Sequence, residues 1–109
     1  MFPNNMVMLI GYVGQHLTIS KTTKGVKRLK IRVATHNVYK GEKKEHRYTT
    51  IWHNVIAWGK LADLAATRFV KGSRIRVHGS ICYRSFNTKE GCVRHIAEIK
   101  AEFLQNLDR

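Results

Sequence analysis

The chain has 109 residues, 43% of them hydrophobic, with 20 Lys and Arg against 7 Asp and Glu for a formal net charge of +13. That length suits one domain burying roughly 65% of its unfolded surface, which argues against both a multidomain enzyme and a disordered chain. No stretch approaches the roughly 20 apolar residues of a membrane helix, Met1 to Leu9 lacks the basic region and cleavage site of a secretory signal, and Cys82 and Cys92 are too few for a disulfide scaffold. The expected setting is the cytoplasm, with both thiols reduced.

In chain order, Val7 to Gly14 is a β-rich apolar run closed by glycine, and Val26 to Thr35 alternates, with Leu29, Ile31 and Val33 on one side and Arg28, Lys30 and Arg32 on the other. Residues 36–47 are expected to form one long, mobile, charged loop. Tyr48 to Trp58 alternates again, placing Trp52, Asn54, Ile56 and Trp58 on one face and Ile51, His53, Val55 and Ala57 on the other. Both faces are partly apolar, so both are expected to be covered. Lys60 to Phe69 is the one helical segment: Leu61, Leu64, Ala65 and Phe69 recur at spacings of three and four before Lys71-Gly72-Ser73 stops it. Arg74 to Phe86 is a fourth strand, with Gly79 as a bend, and a polar, Gly-containing hairpin loop at residues 87–91 leads to a fifth over Val93 to Ala101. Five strands with one short helix between the third and fourth is the chain order of the OB-fold, an all-β, five-stranded Greek-key barrel. It is expected over residues 4–103, leaving a C-terminal stub at 104–109.

Charge placement says more than its total. Residues 21–47 carry ten Lys and Arg with two Glu, residues 68–95 carry seven with one, and all other positions sum to −1. Two single-sign blocks point to a polyanion, with nucleic acid ahead of an anionic membrane. Membrane binding needs a basic amphipathic helix, which the strand-like basic windows do not offer. Aromatics are interleaved with that charge: Tyr39 in the charged loop, Trp52 and Trp58 on one face of the third strand, and Phe86 ending the Arg-bearing face of the fourth. Exposed rings stack on bases at about 1–3 kcal/mol each without reading sequence, while Lys and Arg hold phosphates. Duplex bases are already stacked, so single strands are the natural ligand. The competing reading, that these rings are core, is weakened by Asn54, which shares their face and which a dry core would have to satisfy. Tyr12 and Tyr83, with apolar strand neighbours, are read as core, and Phe69 and Phe103 as packing.

Catalysis finds no support: the carboxylates are scattered and form no acid/base pair, and Cys82, Cys92 and His95 fit no zinc spacing. No metal or cofactor is expected. His36, His46 and His95 sit among cations and are expected to supplement phosphate binding.

Asn5 to Gly14, Val33-Ala34-Thr35, the run from Trp52 to Asp63, Lys71-Gly72-Ser73 and the run from Gly79 to Phe86 together resemble the bacterial single-stranded DNA-binding protein family over about residues 4–103. The stretch Trp52-His53-Asn54-Val55-Ile56-Ala57-Trp58-Gly59-Lys60-Leu61-Ala62 is the most specific part. The resemblance implies base stacking by Tyr39, Trp52, Trp58 and Phe86, with Tyr39 and Phe86 standing where Trp is usual, and phosphate contacts from Lys60, Lys71 and Arg84. Asn54 replaces a commonly basic residue. The charge pattern adds Arg28, Lys30, Arg32, Lys43, Lys44 and Arg47 as phosphate contacts. The resemblance also implies a homotetramer, with His53 at a subunit interface and Arg74 and Arg76 where dimers stack. Like charges buried there cost several kcal/mol unless paired, which makes a dimer the fallback. Family members typically continue into a tail whose acidic tip recruits replication and repair enzymes, whereas this sequence stops at Leu107-Asp108-Arg109, read as either a chain whose tail was left off or a short form without that recruitment. Two other readings stay open: a tail-less primosomal accessory OB-fold dimer, and an RNA-binding OB module.

Overall fold

The structure, a computed structural model, describes residues 4–42 and 46–108. They form β1 (Val7–Val13), β2 (Ser20–Lys21), β3 (Lys27–Lys40), β4 (His46–Trp58), α1 (Lys60–Arg68), β5 (Arg74–Asn87) and β6 (Val93–Asn106). The strand order is β1-β5-β6-β4-β3-β2, and β1 also pairs with β3, so five strands close into a barrel. This is the OB-fold read from the chain order. The additional β2, two residues lying beside Lys27 and Arg28, is too short to leave a periodic signal.

One parity of each long strand fills the barrel. Leu29, Ile31 and Val33 of β3 stand opposite Ala57, Val55 and His53 of β4. Leu29, Ile31, Val33, Val55, Ala57, Ile75 and Val77 are fully buried. Leu104 is also in the core, so β6 runs past the expected boundary at residue 103 to Asn106. The helix follows Trp58 and packs Ala62 and Ala65 inward. After it, Phe69 is buried, and the 70–73 turn ties back to β1 through Val13 N–H to the Ser73 carbonyl and Gly72 N–H to the Val13 carbonyl, at 2.9 and 2.8 Å. The register of β5 against β6 shifts between His78 and Gly79, the bend expected there.

The loop expected over 36–47 is not one. The β3–β4 ladder continues through His36↔Thr50, Asn37↔Thr49, Val38↔Tyr48, Tyr39↔Arg47 and Lys40↔His46. Charge had argued for a loop, but Val38, Tyr39, Tyr48, Thr49 and Thr50 are strong strand formers whose pairing decides the matter. Lys43 and Lys44 lie outside the described residues.

Two assignments to the core are corrected. In the single chain Tyr12 is 44% and Tyr83 76% exposed. Tyr12 occupies the outward parity of β1, across from Arg74, because Gly11 and Val13 take the inward one. Tyr83 lies past the barrel's rim: β4 and β6 pair only through Val55↔Ile99 and Ile56↔Lys100, and beyond that point the two hairpins diverge. Phe103 is likewise half-exposed, edge-on to His78 at 5.2 Å between ring centroids.

Candidate nucleic-acid interface

Register places β3's cations beside β4's aromatics on the barrel's outer face. Arg28, Lys30 and Arg32 stand opposite Trp58, Ile56 and Asn54. No helix or strand of the described residues covers this face, contrary to the expectation of two covered faces. Trp52 and Trp58 keep 47% and 38% of their surface, against 3% for Ile56 between them. Ile56 is buried without an overlying element: it sits between Lys30 and Lys100 in the registers of β3 and β6, and an ion pair from Arg28 to Glu98 reaches across β4 at 3.5 Å.

Each tryptophan has a guanidinium over it, Arg32 Cζ at 4.9 Å from the Trp52 ring and Arg28 Cζ at 5.8 Å from that of Trp58. Both lie within cation–π range. Trp52 is also seated on the chain: a Cβ at Gly14 would fall 2.2 Å from Trp52 Cζ3 and 2.6 Å from Cη2, so only glycine leaves room for the ring. The two platforms are therefore held in place before any ligand arrives.

Phe86, 40% exposed, ends the outward row of β5 after Arg84, which pairs with Glu98 through Nε at 3.3 Å and Nη2 at 3.4 Å. Tyr39 is placed by its backbone in β3 across from Arg47. Lys60 opens α1 just after Trp58, and Lys71 lies in the turn hydrogen-bonded to the end of β1; both are exposed. Between the diverging β4 and β6 lies a cleft of about 290 Å³ lined by Trp52, Asn54, Tyr83 and Glu98, among others.

The residues assigned to oligomerisation sit elsewhere. His53 faces the barrel interior opposite Val33, its Nε2 2.9 Å from Thr35 Oγ1, and burial lowers its pKa below the ordinary 6.5. Arg74 and Arg76 lie across from Tyr12 and Ile10 of β1, on a face where Met8, Ile10, Tyr12 and Phe103 are exposed. Arg76 Nε and His78 Nε2 are buried there without a hydrogen-bond partner.

Sequence reading missed Gly14 as Trp52's seat and Glu98 as the acid among the cations. Gly14 left a signal, a glycine closing a strand, but which side chain needed its space depends on the β1–β3 contact. Among the described residues, no group of three or more His, Cys, Asp or Glu could hold a metal ion, and no helix is long and apolar enough to cross a membrane.

An OB barrel carrying seated aromatics among cations is a nucleic-acid-binding architecture. The chain belongs to the single-strand binding protein family, whose model matches residues 4–107. It is 35% identical over 103 residues to a single-stranded DNA-binding protein of Xylella fastidiosa, covering 94% of this chain and 63% of that protein. It is 32% identical over 104 residues to single-stranded DNA-binding protein 1 of Chlorobaculum tepidum, covering 94% and 64%. The chain thus spans somewhat under two thirds of these relatives' length. Among solved structures it resembles the Plasmodium falciparum SSB in complex with ssDNA, with a TM-score of 0.87, 28% identity and coverage of 99% and 98%. A deletion mutant of the Thermus aquaticus single-stranded DNA binding protein superposes with a TM-score of 0.82 at 25% identity, covering 94% of this chain and 50% of that one.

Proposed function

We propose that this chain binds single-stranded DNA without sequence preference, protecting strands exposed during replication, recombination and repair. Bases stack on Trp52, Trp58, Phe86 and Tyr39, while Arg28, Lys30, Arg32, Arg47, Lys60, Lys71 and Arg84, with Lys43 and Lys44, neutralise phosphates. The observation that carries this reading is the pair of half-exposed tryptophans, each beneath an arginine, on the open face of β4. Relatives named for single-stranded DNA binding, and a structural neighbour described as a complex with ssDNA, support it. The role is binding rather than catalysis, in the cytoplasm with the nucleoid.

Self-association belongs to the same reading, as a homotetramer or, failing that, a dimer. The exposed Met8, Ile10, Tyr12 and Phe103 beside the unpartnered Arg76 and His78 atoms favour this face for it.

Titration with oligo-dT is expected to quench Trp52 and Trp58 fluorescence, with affinity falling with salt at a log–log slope of about −0.7 per phosphate neutralised. Trp52→Ala is expected to weaken binding by about 1–3 kcal/mol per base lost while leaving the melting temperature nearly unchanged. Equal affinity for duplex and single strand would overturn the stacking mechanism, and unfolding of Trp52→Ala would show that the ring is structural.

A further inference from the structure

Glu98 is an acid on a surface otherwise suited to a polyanion. It lies in β6, its side chain only 12% exposed, and its carboxylate forms ion pairs with two arginines on different strands. Arg84 of β5 meets it side-on, Nε to Oε1 at 3.3 Å and Nη2 to Oε2 at 3.4 Å. Arg28 of β3 reaches the same Oε2 from across β4 at 3.5 Å. The two arginines flank separate aromatics: Arg28 lies over Trp58, and Arg84 precedes Phe86 by two positions on the outward row of β5. One carboxylate thus links the cations of β3 and β5 over the strand that carries the tryptophans.

Charge alone makes Glu98 a liability, since a carboxylate among phosphate-binding cations repels the ligand. Pairing leaves most of each guanidinium free, however. Arginine has five N–H donors, of which Arg84 commits one on Nη2 to a hydrogen bond, while its Nε and the Arg28 Nη2 lie in ion-pair contact with the carboxylate. The remaining donors stay available to a ligand, the Arg84 side chain being 56% and that of Arg28 26% exposed. Ordering a long side chain at binding costs affinity, and a cation already fixed avoids that cost.

We infer that Glu98 is a positioning residue for DNA binding: it pre-orders Arg28 and Arg84 beside Trp58 and Phe86, and this gain exceeds its repulsion of phosphate. The inference rests on the single-strand-binding reading. Its test therefore has one arm that needs no DNA and one that does.

In the free protein, 15N relaxation is expected to show an ordered Arg84 Nε–H that becomes mobile in Glu98→Gln. An Arg84 side chain equally mobile in the unaltered protein overturns the inference whatever the chain binds. In the second arm, oligo-dT is titrated over a salt series. Glu98→Gln, although one charge more positive, is expected to bind about three- to tenfold more weakly at fixed salt, the ordering cost of one long side chain, with a salt slope no steeper than that of the unaltered protein. The loss shrinks when Arg84 is already Met, because the two residues act through one contact. Tighter or unchanged binding with a steeper slope overturns the inference and leaves Glu98 a plain opposing charge. Glu98→Asp keeps the charge but retracts it, so it is expected to lose affinity as well; binding like the unaltered protein counts against positioning even if Glu98→Gln fails to fold. Failure of the unaltered chain to bind oligo-dT is a different result, and it defeats the functional reading itself.

Discussion

Trp52 shows how far one residue depends on another that sequence keeps 38 positions away. Its ring rests where a Gly14 side chain would be, and Arg32 lies over it at 4.9 Å. Gly14→Ala changes no core contact and has no left-handed backbone to strain, so the fold is expected to survive. The displaced ring is expected to shift Trp52 emission and weaken oligo-dT binding by up to the value of one stacked base, about 1–3 kcal/mol. His53 makes a second residue-scale prediction. Burial holds its pKa below 6.5, so between that lowered value and about 6.5 the unfolded chain binds more protons than the folded one. The stability contributed by the neutral ring is fully present above about pH 6.5 and declines as pH falls through the lowered value. Chemical denaturation from pH 7.5 to 5 is expected to show that decline, flattened in His53→Gln. An identical pH profile in the variant would remove His53 from the account.

Among the elements, the junction of β4 and α1 couples barrel to site. Gly59 follows Trp58 and caps the helix at φ 61° and ψ −127°, a conformation essentially reserved for glycine. Its N–H donates to the Lys27 carbonyl at 2.9 Å, fixing the helix against β3. Nothing lies within 4 Å of a Cβ built there, so substitution meets backbone strain and no clash. Gly59→Ala is expected to lose about 1–3 kcal/mol of unfolding free energy by urea denaturation; a loss under about 0.5 kcal/mol would show that the turn relaxes. The ion pair from Lys27 to Asp63 at 2.9 Å spans the same junction, but both side chains are over 40% exposed, so it contributes little. The β3–β4 hairpin is the element that composition misjudged. Its charges argued for a loop, while the ladder from His36↔Thr50 to Lys40↔His46 puts the Tyr39 backbone on a strand.

For the whole molecule, the +13 resolves into two surfaces. Arg28, Lys30, Arg32 and Arg84 join the aromatics on the outer face of β3, β4 and β5, whereas Arg74 and Arg76 turn toward β1 and its exposed apolar row. That second face is where self-association is expected, and light scattering checks it: the mass is expected to be a multiple of 12.6 kDa. Ile10→Asp, at a 39% exposed position, is expected to lower that mass while the far-UV circular dichroism stays that of the folded barrel; the unfolding temperature falls with the lost association. A single-chain mass for the unaltered protein defeats this reading and leaves the DNA-binding face untouched.

By itself the sequence determined the chain order of the five barrel strands and the single helix, the family and the parity that puts Trp52 and Trp58 with Asn54 rather than with Val55. These follow from local chemistry: alternation sets which side chains share a face, and the run from Trp52 to Ala62 is specific enough to name the family. Only tertiary structure decided which face is inside, why Tyr12 and Tyr83 are exposed, why Ile56 is buried on the open side, and that Glu98, Gly14 and the arginines form one arrangement around the rings. The physical reason is that burial and side-chain pairing depend on what the closing barrel brings alongside a strand, and neither the β1–β3 contact nor the reach of Arg28 across β4 has any counterpart in local periodicity.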